Sequence, residues 1–178
     1  MKRISVPTII SLALCLSLLG SLPALAAAKS QLYRDPKLKF SLRYPSGYTV
    51  KTVGSAVVFS APLSGRGDTF PESLNVVVVG MADYPGSVES FYLRSKKSLM
   101  ETMPYLRIID EETAQMAGRT AWRLHYTAVP NTTAFEFLQV LLEYRGLAYL
   151  LTYTAQPGSY EQYLPAIEEM LASFSFID

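Results

Sequence analysis

The chain has 178 residues, 49% of them apolar and 17% charged, with one cysteine and one histidine. This much apolar side chain excludes a disordered polymer, and the roughly 150 residues that follow an apolar N-terminus suffice for one domain around one core. The formal charge of +1 conceals an imbalance: residues 29–66 carry seven bases and one acid, residues 67–178 seven bases and 14 acids, so the first third is basic and the remainder acidic.

Residues 1–30 read MKRISVPTIISLALCLSLLGSLPALAAAKS. Lys2 and Arg3, an apolar run from Val6 to Leu22, Pro23 and an alanine-rich exit are the parts of a secretory signal peptide. Cleavage is expected after Ala26, where Ala24 and Ala26 flank Leu25, with Ala28 as the alternative. The rival reading, an uncleaved anchor, is opposed by Pro7, Gly20 and Pro23 at the run and its exit. Cys15 lies in the middle of the run and leaves with it. The exported chain then has no thiol, which excludes a disulfide framework, thiol catalysis and cysteine-ligated zinc. The expected organisation is a signal peptide over 1–26, a short N-terminal segment over 27–37 and a single domain over 38–178.

In LKFSLRY (38–44) the apolar Leu38, Phe40, Leu42 and Tyr44 share one parity, while Lys37, Lys39, Ser41 and Arg43 share the other. That is the two-residue period of a half-buried strand with a basic outer row. Pro45 presets the first corner of a reverse turn with Gly47 in its fourth position, and the strand ends there. VGSAVVFSAP (53–62) reads as a strand and LSGRGDTFPE (63–72) as a loop. SLNVVVVGM (73–81) reads as a strand whose four consecutive valines predict cover on both faces. The period then becomes helical over 87–104, with Val88, Phe91, Tyr92, Ser95, Leu99 and Met103 on one side, Ser87 as the cap and Pro104 as the stop.

Past that helix, LRIIDEETAQM (106–116), RTAWRLHYTAV (119–129), AFEFLQVLLEY (134–144) and LAYLLTYTA (147–155) are predicted strands. The short Ala117-Gly118 and Arg145-Gly146 turns predict antiparallel hairpins. LAYLLTY, like the valine run, predicts cover on both faces. A last helix presents Tyr163, Leu164, Ile167, Met170, Leu171 and Phe174. It starts either at Ser159, with Gln162 completing a capping box, or near Pro165. The expectation is an α+β domain, an α/β/α sandwich with a central sheet of six or seven mostly antiparallel strands and helices on both faces.

Chemistry is sparse. His125 takes the polar parity of its strand with Arg123 and Thr127, and no nearby spacing supplies the partner acid, base or ligand that catalysis or metal binding needs. Asp110-Glu111-Glu112 is the best local candidate for an all-oxygen cation site, yet it lacks a glycine-interrupted loop and reads as a solvated hairpin. No GxSxG, SxxK, Walker or GxGxxG motif occurs, so neither catalytic residues nor metal ligands are expected, and the protein is not expected to be an enzyme. Arg66-Gly67-Asp68 reads as loop and Asn131-Thr132-Thr133 as turn. Twelve tyrosines, several at inward parities (Tyr44, Tyr92, Tyr126, Tyr163), fill core rather than interleave with the bases, which disfavours nucleic acid. The basic residues remain. Lys37, Lys39, Arg43, Lys51 and Arg66 are the expected partner-binding surface, for an acidic protein or, by peripheral association, for a membrane with anionic headgroups. A rival expectation is a small-ligand or lipid carrier with an apolar cavity among Tyr92, Trp122 and Phe137.

A signal peptide, the strand FSLRYPSGY, the NVVVV strand, a helix, a run of hairpins and a closing helix ending in MLASFSF together resemble the PsbP-like superfamily, the Mog1/PsbP/DcrB-like fold. The resemblance spans about residues 33–177 and is most specific at Phe40 through Gly47, Asn75 through Val79 and Ser173-Phe174. It implies an exported bacterial or cyanobacterial protein with an α/β/α sandwich, no catalysis and a habit of docking onto other proteins. The setting it implies is the thylakoid lumen and photosystem II in a photosynthetic host, and the periplasm or the outside otherwise. PsbP itself binds the lumenal side of photosystem II and helps retain calcium and chloride. The segment before the first strand is too short for the long N-terminal arm that serves that retention, so that activity is not carried over. No cofactor is expected, calcium entering only through this analogy. The alternative is a periplasmic or secreted, envelope-associated protein of DcrB-like type that binds a small ligand or lipid.

Overall fold

The computed structural model describes residues 29–82, 84 and 86–178. The signal peptide expected over 1–26, with Cys15, lies outside the described residues. In chain order the elements are β1 (Ser30–Asp35), β2 (Phe40–Pro45), β3 (Thr49–Val53), β4 (Ala56–Ser60), β5 (Ser73–Gly80), α1 (Val88–Thr102), β6 (Arg107–Met116), β7 (Arg119–Ala128), β8 (Phe135–Tyr144), β9 (Leu147–Ala155), α2 (Tyr160–Ala172) and β10 (Ser175–Phe176). β3 to β9 form a seven-stranded sheet in the order β3-β4-β5-β9-β8-β7-β6, every neighbouring pair antiparallel. β1, β2 and β10 form a separate three-stranded sheet.

Two hairpins are set by their turns. Ala117 and Gly118 take φ of 50° and 73°, and Arg145 and Gly146 take 51° and 79°. Left-handed backbone at both central residues gives the twist that strands leaving a two-residue turn require, and glycine enters that region at least cost. Ser87 caps α1 as expected, its hydroxyl oxygen accepting from the Ser90 N–H at 3.2 Å.

Opposed residues in adjacent strands share a face of the sheet. Leu74, Val76 and Val78 on β5 oppose Tyr153, Leu151 and Tyr149 on β9, and the same parity continues through Leu138 and Val140 on β8. These side chains form one buried cluster with Tyr160, Ile167, Met170 and Leu171 of α2 and with Phe40 and Leu42 of β2. The other parity, with Trp122, Leu124 and Tyr126 on β7, Phe137 and Leu141 on β8 and Ala148 on β9, packs with Phe91, Tyr92 and Leu99 of α1 and with Met103 just past its end. The two helices therefore pack on opposite parities of the large sheet, and the small sheet lies on the α2 side.

Several local expectations change. The first expected strand begins at Phe40, because Lys39 turns left-handed at φ 61°, and it belongs to the small sheet. Its turn is shifted by one residue: the Tyr48 N–H donates to the Pro45 carbonyl at 3.0 Å, so Pro45 opens the turn instead of occupying its first corner. A strand, β1, occupies most of the expected N-terminal segment, and β3 precedes the expected second strand with Gly54 turning at φ 60°. The valine run alternates after all, with Leu74, Val76 and Val78 buried and Asn75, Val77 and Val79 half-buried. The reason is that the large contacts of α1 fall on β7, β8 and β9 and not on β5. α2 takes the earlier of its two starts with Pro165 inside it, yet the capping box does not form. The Ser159 hydroxyl donates to the buried Glu72 carboxylate instead.

Candidate functional site

The β1–β2 hairpin is where positive charge gathers. Residues 29–45 carry Lys29, Arg34, Lys37, Lys39 and Arg43 against one acid, Asp35. The acid is spent on the turn: Asp35 Oδ1 accepts the N–H groups of Lys37 and Leu38, each at 2.9 Å, and Oδ2 accepts the Tyr33 hydroxyl at 2.9 Å. Burial alone pushes the Asp35 carboxyl up, but these donors and the Lys37 charge outweigh it and hold the carboxyl below its usual range. The turn so fixed presents Lys37 and Lys39 to solvent.

Register then sorts the rest of the hairpin. Tyr33, Phe40, Leu42 and Tyr44 point at the core, where Phe40 stacks on Phe174 at 5.6 Å and Tyr33 meets Phe59 edge-on at 5.2 Å. Leu32 opposes Arg43, and Arg34 opposes Ser41, on the outward face. Leu32 is 60% exposed. An apolar side chain flanked by arginines on a flat outer face has the composition of a protein-binding patch.

Of the five residues expected to bind a partner, Lys37, Lys39 and Arg43 lie on this hairpin. Lys51 and Arg66 do not. Lys51 opposes Val58 on β4, which opposes Asn75, and so shares the parity on the far side of the large sheet from the hairpin. Arg66 lies in the loop between β4 and β5. In that loop Asp68 accepts from the Ser64 N–H at 2.7 Å, the Ser64 hydroxyl at 3.0 Å and the Phe70 N–H at 3.1 Å. With its carboxylate so engaged, the Arg66-Gly67-Asp68 triplet is a loop brace. Arg34 and Leu32 escaped the sequence reading because QLYRD has no clean alternation, and its outer face appears only once β1 is paired with β2.

A second polar group lies on the α2 side of β6, β7 and β8. Arg123 Nε stands 3.1 Å from Glu112 Oε1, and its terminal nitrogens grip both oxygens of Glu168 on α2. His125 has the partner that the sequence reading did not find: its Nε2 bonds Glu136 Oε1 at 2.8 Å while its ring stacks on Tyr160 at 4.8 Å and 7°. His125 opposes Leu138, so Glu136 reaches it diagonally across the β7–β8 pair. That proximity depends on hairpin register over 11 residues and carries no short-range signature. Among the described residues His125 bonds no hydroxyl nucleophile, and no group of three or more His, Cys, Asp or Glu could hold a metal ion. Two of the three acids in the run are engaged: Glu112 faces Arg123, and Glu111 accepts from Lys96 Nζ at 2.7 Å and from the Tyr92 hydroxyl at 2.8 Å, bonds that pull its carboxyl below the usual range.

The rings named for a ligand cavity are packed on one another. Tyr92 stacks on Trp122 at 5.9 Å and 24°, and Phe137 on Tyr126 at 4.8 Å and 14°. Burial, and then the bond to Glu111, push the Tyr92 phenol up.

The chain matches the PsbP family model over residues 28–176. A comparison with curated proteins gives no match. Among solved structures the fold is similar to cyanobacterial PsbP (CyanoP) from Synechocystis sp. PCC 6803, with a TM-score of 0.61 and 18% identity over 89% of this chain and 98% of that one. It is similar to PA94 from Pseudomonas aeruginosa, a protein of unknown function, with a TM-score of 0.61 and 19% identity over 81% of this chain and 94% of that one. It is also similar to LpqN of Mycobacterium tuberculosis, a protein involved in cell envelope biogenesis, with a TM-score of 0.61 and 14% identity over 84% and 92% of the two chains. At these identities the structural likeness speaks for the fold alone.

Proposed function

The chain belongs to the PsbP family, and from that premise we propose that it is an exported, non-enzymatic accessory protein that docks onto an acidic protein surface through the β1–β2 hairpin. The observation that carries this reading is the hairpin itself, with four bases, and Lys29 just before it, against one internally bonded acid and Leu32 exposed among them. The binding residues are Lys37, Lys39 and Arg43, joined by Arg34. Clustered on one hairpin, such charges raise the encounter rate with an acidic partner and lose that advantage as salt rises.

The likeness to CyanoP supports the lumenal side of photosystem II, in its assembly or stability, as the setting in a photosynthetic host. The likeness to LpqN supports a second setting, an envelope-associated role in the periplasm. The hairpin is the working surface in both. The carrier reading has a different space to draw on: Tyr92 stacks on Trp122 and Phe137 on Tyr126, while a depression of ≈ 450 Å³ between α1 and the sheet is lined by Phe91, Leu99 and Leu150.

The test is cosedimentation of the chain with photosystem II membranes and, separately, with phosphatidylglycerol vesicles, at 20 and 300 mM salt, for wild type and Arg34→Glu/Arg43→Glu. Retention by the photosystem membranes that falls at high salt and in the variant supports docking on a protein. Equal retention of wild type and variant removes the hairpin from the interface, and retention by vesicles alone replaces the protein partner with lipid.

A further inference from the structure

On the same face of the large sheet as the hairpin, but toward the β6 edge, α2 leaves part of the sheet uncovered. β6 is the last strand of the large sheet, its ten residues mostly exposed, and among the described residues nothing pairs with its outer edge. Between that edge and α2 run two contiguous depressions of ≈ 360 and ≈ 200 Å³ that share Arg123 and Glu168. One wall is an alternate row of β6, Asp110, Glu112, Ala114 and Met116, and the other is a stripe of α2 that includes Glu161 and Glu168. From Asp110 to Met116 the row extends about 20 Å at roughly 3.3 Å per residue, room for an extended segment of six or seven residues.

The groove is graded. Around Ala114, Met116, Ala121, Val140 and Leu171 it is apolar, and around Asp110, Glu112, Glu161 and Glu168 it is acidic, with Arg123 tying Glu112 to Glu168. Asp110 and Glu161 form no ion pair among the described residues. An edge strand bearing Asp110-Glu111-Glu112 and a register shift at Ile109 repels a second copy of itself. The same charges attract an extended segment that carries lysine or arginine.

We propose that the outer edge of β6 is a second docking site, which accepts an extended peptide segment of a partner by strand addition, its cationic side chains set against Asp110 and Glu161 and its apolar ones against Ala114 and Met116. Backbone pairing to an open edge supplies affinity without sequence preference, and alternate side chains entering the groove supply selectivity. This site is independent of the hairpin: it takes cations where the hairpin takes anions, so the two can engage one partner together or two partners at once.

The experiment uses the full chain and two acetylated heptapeptides, one alternating lysine with valine and one alternating glutamate with valine. Amide exchange is read by mass spectrometry and affinity by fluorescence anisotropy. The lysine peptide is expected to slow exchange over residues 107–116, the glutamate peptide to leave it unchanged, and Asp110→Lys/Glu161→Lys to weaken the lysine peptide about ten-fold. Unchanged exchange over 107–116, equal binding of the two peptides, or protection that appears only as the chain self-associates overturns the proposal. Should the double variant fail to fold, the exchange map of wild type with the two peptides decides by itself.

Discussion

Replacing Phe40 by alanine separates the hold of the β1–β2 hairpin from its function. Phe40 is fully buried and touches Phe174 at 5.6 Å, Tyr33 at 5.7 Å and Tyr149 at 6.5 Å, rings from α2's exit, β1 and β9. Its ring thus ties the small sheet to β9 and to the end of α2. Removing a phenyl ring from such a site costs about 3–5 kcal/mol, because the transfer energy is lost and ring neighbours on rigid elements collapse only partly into the space. With a urea m-value of about 2 kcal/mol/M, the unfolding midpoint should fall by about 2 M. Followed by far-UV circular dichroism, the variant is compared with Leu32→Ala, where a side chain on the outer face should change stability by less than about 0.5 kcal/mol while weakening partner capture. A Phe40→Ala midpoint within 0.5 M of wild type, by the same scale, would refute the reasoning, for the hairpin would then not be docked on the core.

Four further outcomes are expected. Glu111 has its carboxyl held down by Lys96 and then Tyr92, so the stabilisation it adds is present above the unfolded value near 4.3 and lost as pH falls through the lower folded value. The gap between wild type and Glu111→Gln in thermal unfolding should close as pH falls below about 4, its size at pH 7 being about 0.2–1 kcal/mol because the pair is partly solvated; a gap that widens in acid contradicts the assignment. Glu72→Ala removes one acceptor of the Ser159 hydroxyl, which keeps the Gln156 carbonyl at 3.1 Å, and should cost about 0.5–1.5 kcal/mol, with Glu72→Gln costing less; equal losses in urea titrations point to packing instead. Tyr48→Phe removes a buried hydroxyl with no bonding partner, whose ionisation burial pushes up to about 12, and should leave the urea midpoint unchanged or higher. Ala117→Gly relieves a left-handed alanine at φ 50° and should raise stability by about 0.5–1 kcal/mol; a lower melting temperature counts against that turn geometry.

Wherever the chain repeats with the period of its own element, structure was legible in the residues. RTAWRLHYTAV and LAYLLTYTA announced strands by alternation, Ala117-Gly118 and Arg145-Gly146 announced hairpins by turn chemistry, and SVESFYLRSKKSLM announced α1 by cap and stripe. Arg43 takes the outward parity expected of it, whereas Lys37 and Lys39 fall in the turn before β2. Arg34, Leu32 and the His125–Glu136 contact were not legible in this way. Each gains its meaning from a strand partner that local periodicity does not name.

The amino-acid pattern alone determined the two helices and seven of the ten strands, the hairpin pairings among them, the family likeness and the excess of positive charge in the first third. Only the tertiary structure decided that the first two strands leave the main sheet for a small one in which β2 pairs with β10, that Lys51 and Arg66 lie apart from Lys37 and Lys39, and that β6 has an uncovered edge. The division has a physical cause. Alternation and turn propensity act over a few residues, whereas pairing across 130 residues, as when the Arg43 N–H meets the Ser173 hydroxyl, is settled by whichever arrangement buries the most apolar surface at once.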